Sequence, residues 1–141
     1  MNEGDLMPML ILNLQRDEGF MDKPYRDTVG KLTIGYGRNL DDVGITKAEA
    51  RVMLINDIET AMAEAIRLWP WIRKKPVAVR LGFYNMIFNM GAPRVLGFKK
   101  MLERLEVDDY QAAADEALDS KWAKQVGERA VRIADLFRSA A

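Results

Sequence analysis

Apolar side chains recur at Leu6, Met9, Leu10 and Leu14, close to the 3.6-residue period of a helix, so a helix is expected from about Leu6 to Glu18. Gly19 follows as its C-cap, which puts Glu18 at a helix end. From Lys23 to Leu40 the pattern shortens. Pro24, Gly30, Gly35 and Gly37 punctuate short runs such as Lys31-Leu32-Thr33-Ile34, and Asp27-Thr28-Val29-Gly30 reads as a turn between two strands. Thr46-Lys47-Ala48-Glu49 then matches a capping box, and a long helical pattern runs to about Leu68, where Trp69-Pro70 ends it. Helical patterns continue over Val77 to Met90, in a segment opened by Pro93, from Asp108 to Leu118 with a box at Asp108 and Gln111, and from about Glu128 to Ser139. One helix, a small β region and then helices to the end make an α+β fold with the sheet confined to one lobe.

Composition narrows the chemistry. At 141 residues, 49% apolar and 30% charged, the chain has the size and make-up of one globular domain. Cysteine is absent, which excludes disulfides, thiolate metal sites and a cysteine nucleophile. Histidine is absent too, which removes the serine-histidine triad and most zinc chemistry. No metal and no cofactor are expected, and acid–base work falls to carboxylates, lysines or tyrosines. The formal charge is zero but unevenly spread: residues 67–104 hold nine Lys and Arg against the single acid Glu103, and residues 105–120 hold six acids and no base. The basic middle either attracts an anionic polymer, a nucleic acid or the acidic cell wall, or is a solvated helix face. No nucleic-acid-reading motif accompanies it, so no nucleic-acid partner is expected. No stretch reaches the ~18 consecutive apolar residues of a membrane span, and no stable membrane insertion is expected. The first residues carry Glu3 and Asp5 where a secretory signal would be positive.

Glycosidic bonds are broken by two carboxylates flanking the scissile oxygen. Glu18 at a helix end and Asp27 in a glycine-rich hairpin are candidates, but among 21 acids an isolated pair at any spacing is weak evidence. The surroundings are more specific. Asp17-Glu18-Gly19, then Pro24-Tyr25-Arg26-Asp27-Thr28, Gly30 and Thr33-Ile34-Gly35-Tyr36-Gly37 resemble the catalytic signature of glycoside hydrolase family 24, the phage lysozymes of the T-even group. A second block, Asn85 to Gly91 followed by Gly97-Phe98, and a third, Ser120-Lys121-Trp122 with Arg129-Ala130 and Arg132, agree in order with the same family.

The resemblance implies a lysozyme-like two-lobed fold within a single domain over residues 1–141. A small hairpin lobe would occupy about 19–45. A connecting helix over about 46–68 would lead to a helical lobe at about 70–141 that also takes in the N-terminal helix. It further implies an endolysin that hydrolyses the β-1,4 bond between N-acetylmuramic acid and N-acetylglucosamine in peptidoglycan. By position Glu18 resembles the general acid, Asp27 the base that activates water, and Thr33 the residue that holds that water. Similar members invert configuration, which requires carboxyl groups roughly 6.5–9.5 Å apart. Arg129 falls where the family places an arginine beside the catalytic glutamate. Phe88 matches a cleft-lining position and either stacks on a sugar or belongs to the core. Tyr36, Asn39 and Asn89 complete the substrate-binding or supporting set. Trp122 reads as packing, and Trp69 and Trp71 as pins of the helix junction. A monomer acting on the glycan strand is expected, held in the host cytoplasm until holin-type release.

Four positions depart from the pattern. Arg38 stands where the family often has histidine, and Asn39 where the T-even group has a cleft-lining leucine. Met101 and Glu116 replace a serine and an asparagine that contact saccharide. The link Asp41-Asp42-Val43-Gly44-Ile45 is short. Two rival readings stay open: a lytic transglycosylase, which needs no water-activating base, and a catalytically silent wall-binding or phage structural module with the same fold.

Overall fold

The computed structural model describes residues 2–141. Helix α1 covers Glu3–Glu18, strands β1, β2 and β3 cover Met21–Arg26, Leu32–Gly35 and Arg38–Asn39, and helix α2 covers Lys47–Leu68. A 3-10 turn over Pro70–Lys74 leads to α3 (Val77–Met90), α4 (Ala92–Val95), α5 (Lys99–Glu106), α6 (Tyr110–Leu118), α7 (Lys121–Val126) and α8 (Glu128–Ser139). The class is α+β, as the periodicity predicts. The chain divides into two compact units, Met1–Arg51 and Val52–Ala141, with the boundary inside α2.

In the first unit, α1 starts three residues before its expected position. Asn2 and Asp5 form a reciprocal capping box that satisfies the first free amides and leaves Pro8 inside the helix. Gly19 ends the helix at φ 69°, its N–H donating to the Gln15 carbonyl at 3.0 Å. The three strands form an antiparallel sheet in the order β1-β2-β3. Met21 pairs with Gly35 and Tyr25 with Thr33, so four steps on β1 run opposite two on β2. That bulge takes up two extra residues of β1. The N-terminus of α2 closes the unit: Thr46 and Glu49 form the expected capping box, with bonds of 3.1 and 2.9 Å.

The second unit has a helical core in which Phe83, Phe137, Ile72, Met86, Met101, Leu105 and Ile133 are almost wholly buried. Helix α3 is its centre because it carries apolar residues on most faces, burying Val79, Phe83, Met86 and Ile87. Gly82 lets α8 approach closely, since a Cβ there would lie 2.8 Å from Cε1 of Phe137. Trp69 meets Phe83 edge-on, with centroids 5.2 Å apart, and Trp71 meets the same ring at 6.0 Å. Both tryptophans thus pin the junction as expected.

One expected cap is corrected. Helix α6 is capped by Asp109, whose side chain accepts the Ala112 N–H at 3.2 Å, and not by Asp108. Asp108 instead takes a left-handed backbone, φ 66°, and its carboxylate accepts from Lys75 Nζ at 2.8 Å and from the Tyr110 hydroxyl at 2.6 Å. Desolvation and this carboxylate together push the Tyr110 hydroxyl up to about 12, which keeps it a proton donor to Asp108.

Candidate active site

Glu18 is the last residue of α1, and its side chain lies against the β2–β3 turn. A Cβ built on Gly37 would sit 2.7 Å from Glu18 Oε2 and 3.0 Å from Cδ. Only a glycine backbone admits the carboxyl at that distance, and Gly37 also needs its freedom at φ 80°.

Asp27 follows β1 and organises the turn to β2. Its Oδ1 accepts the amides of Val29 at 3.0 Å and Lys31 at 2.8 Å, an Asx-type turn that fixes the carboxylate plane. Among the described residues, Oδ2 has no hydrogen-bond partner. Thr33, on β2, is the one buried polar side chain among the described residues, at 4% exposure. Its hydroxyl donates to the Lys31 carbonyl at 2.9 Å, and the Asp27 N–H donates to the same oxygen at 2.9 Å. One residue, Lys31, therefore ties Asp27 to Thr33 through its backbone groups. With its proton committed, the Thr33 oxygen is left as an acceptor.

Around this pair the sheet is held by ions. The Arg38 guanidinium makes a two-pronged pair with Glu49 and also donates to the Gly44 carbonyl at 3.0 Å. This pair holds the Glu49 carboxyl down at about 2, the hydrogen bond to Arg38 being the largest cause and the Thr46 amide the next. Arg38, the departure from histidine, thus brings to this pair a cation that keeps its charge. Asn39 donates from Nδ2 to Asp42 at 3.0 Å and accepts the Asp42 N–H at 2.9 Å, so it builds the short loop. Tyr36 is half exposed and its ring meets Phe20, with centroids 5.5 Å apart.

The remaining candidates lie in the second unit. Arg129 donates from Nε to Asn85 Oδ1 at 2.9 Å. Both line an apolar groove of about 480 Å³ with Phe88, Tyr84, Leu81 and Ile58. Phe88 is 40% exposed, so it is a groove wall and not a core residue. Asn89 accepts the Trp122 indole N–H at 2.7 Å, which satisfies a nearly buried donor. Met101 and Glu116 border a second cavity of about 520 Å³ with Phe98, Trp122, Lys99 and Lys121. Met101 is 1% exposed, so it serves as apolar floor. Asn85, in the second sequence block, and Glu49, in the capping box, are supporting residues whose pairings with Arg129 and Arg38 no sequence pattern signals. Among the described residues no cluster of acids is arranged to hold a metal ion, and no helix is long and apolar enough to cross a membrane.

The family profile described as Phage lysozyme matches residues 15–138. The SAR-endolysin of Bacteriophage PS34 is 32% identical over 104 residues, 70% of this chain and 60% of its own length. That of Bacteriophage PS119 is 31% identical over the same shares. The chain therefore spans about 60% of the length of these two relatives. The endolysin of Acyrthosiphon pisum secondary endosymbiont phage 1 is 31% identical over 79% of this chain and 75% of its own length. The matched span contains Glu18, Asp27, Thr33, Phe88 and Arg129 alike, and the chain belongs to the phage lysozyme family.

Proposed function

We propose that this chain is an endolysin that hydrolyses the β-1,4 bond between N-acetylmuramic acid and N-acetylglucosamine in bacterial peptidoglycan, with inversion at the anomeric carbon. The observation that carries the reading is the Lys31 backbone, which anchors the Asp27 carboxylate and the Thr33 hydroxyl to one turn. A water there donates one hydrogen to the free Oδ2 of Asp27 and the other to Thr33 Oγ1. Its lone pair is then aimed at the anomeric carbon. As the water oxygen bonds to that carbon, its proton passes to Asp27. The carbon–oxygen bond to the leaving sugar breaks, and the leaving oxygen takes the proton of Glu18. Gly37 sets the depth of the Glu18 carboxyl. Phe88, Arg129, Asn89, Tyr36 and Asn39 serve as substrate-binding or supporting residues; after its bonds to Asp42, Asn39 keeps one Nδ2 hydrogen for a sugar.

The test is clearing of outer-membrane-permeabilised bacteria. Glu18→Gln and Asp27→Asn should each lower the initial rate by about 10²–10⁴-fold, the usual contribution of a general acid or base, at unchanged melting temperature. Equal clearing by wild type and Glu18→Gln overturns the reading.

A further inference from the structure

The first unit leaves two aromatic rings exposed, at positions that flank Glu18 and Gly37 in the chain. Phe20 is 63% exposed and Tyr36 is 50% exposed, with ring centroids 5.5 Å apart and planes at 46°. Their placement follows from the register. Met21 faces Gly35 across β1 and β2, so the next pair outward brings Phe20 opposite Tyr36. Both rings are close in the chain to the groups around that carboxyl: Phe20 is two residues beyond Glu18, and Tyr36 precedes Gly37, against which Glu18 lies. Gly35 and Gly37, at φ 68° and 80°, bracket Tyr36 in the turn between β2 and β3.

Such a pair does not add to the core, because neither ring is buried. What it offers is an exposed apolar surface on the unit that carries Glu18. A pyranose ring has one face made of C–H bonds, which packs on an aromatic face, while its hydroxyls stay free for polar partners.

We infer that Phe20 and Tyr36 form an aromatic platform on which one N-acetylated pyranose of the glycan strand stacks, setting its glycosidic oxygen toward Glu18. This inference rests on the proposed glycan substrate and adds the residues that hold the sugar. Phe20 is a positioning residue here, not a proton donor or acceptor.

The experiment uses the full chain with Glu18→Gln, so that bound glycan is not turned over, and purified sacculi as the probe. Phe20→Leu and Tyr36→Leu keep apolar bulk and remove the ring faces. Each should weaken co-sedimentation with sacculi about two- to tenfold at unchanged melting temperature. In the active chain the same changes should raise KM more than they lower kcat, and Phe20→Tyr should restore both. A second measurement guards against a folding defect: Phe20→Trp, with all other rings intact, should show an emission shift to the blue when soluble peptidoglycan fragments are added, relative to its parent. Unchanged binding by both leucine variants, or no shift from the tryptophan, overturns the platform. Failure of the proposed substrate is a separate result, seen as no binding of sacculi by the Glu18→Gln parent.

Discussion

Replacing Gly37 with alanine perturbs the first unit in two separable ways. The backbone at φ 80° is left-handed, a conformation that costs an L-residue about 1–2 kcal/mol. For a chain of this size that loss lowers the melting temperature by roughly 3–8 °C. The new Cβ would also stand 2.7 Å from Glu18 Oε2, whereas ordinary contact begins at 3.4 Å, so the oxygen must retreat by about 0.7 Å, the difference of the two. The carboxyl is the free end of a flexible side chain, and its retreat adds little to the loss of stability. For chemistry the same retreat matters more, because misplacing a reacting group by about 1 Å costs up to about 10²-fold in rate. Gly37→Ala is therefore expected to lower kcat/KM by about 10- to 100-fold while the fold survives. Gly44→Ala is the control: its φ is 66°, but a Cβ there meets only the Leu40 carbonyl at 4.0 Å. It should show a similar thermal loss and near-normal activity. The assay pairs initial rates of cell clearing with thermal melts of both variants. Equal activities of Gly37→Ala and Gly44→Ala would refute the placement of Glu18 against Gly37.

Three further outcomes follow from the same contacts. Glu49 has its folded pKa lowered from 4.5 to about 2, so its pairing with Arg38 stabilises fully above the unfolded value and fades as pH falls through the folded one. Melting curves of wild type and Glu49→Gln should differ most above about pH 5 and converge toward about pH 2; a gap independent of pH contradicts the pairing. Gly82→Ala gains about 1 kcal/mol of helix propensity but drives its methyl to 2.8 Å from the buried Phe137 ring. Overpacking of about 1–3 kcal/mol should win, giving a net lower melting temperature. Asn89→Leu leaves the Trp122 indole N–H without its 2.7 Å acceptor and should destabilise by about 1–3 kcal/mol in denaturant titration, whereas Asn89→Asp should cost less because it keeps an acceptor.

Elements with local punctuation are legible in the amino-acid sequence. The ends of α2, α3 and α8 agree with expectation because Thr46, Pro70, Gly91 and Gly127 mark them. Helices α5 and α7 do not stand out, since eight and six residues carry too few turns for a periodic signal. The shifted cap of α6 has a non-local cause: Lys75, 33 residues away in sequence, claims Asp108 and leaves the cap to Asp109. The site divides in the same way. Glu18, Asp27 and Thr33 fall within one short motif whose turn residues announce the hairpin. The partnership of Arg129 with Asn85 spans 44 residues and that of Arg38 with Glu49 spans 11, and neither has a pattern of its own. Phe20 carries no signal in the sequence, because a single exposed ring acquires meaning only once the register puts Tyr36 across from it.

In the proposed reaction, water activated by Asp27 attacks the anomeric carbon while Glu18 protonates the leaving oxygen. Mass spectrometry of purified sacculi digested in ¹⁸O-labelled water measures it directly. Wild type should give fragments ending in a reducing N-acetylmuramic acid that carries one heavy oxygen, and Asp27→Asn should not. Anhydro-sugar ends without the label, or labelled ends in equal yield from Asp27→Asn, would contradict it.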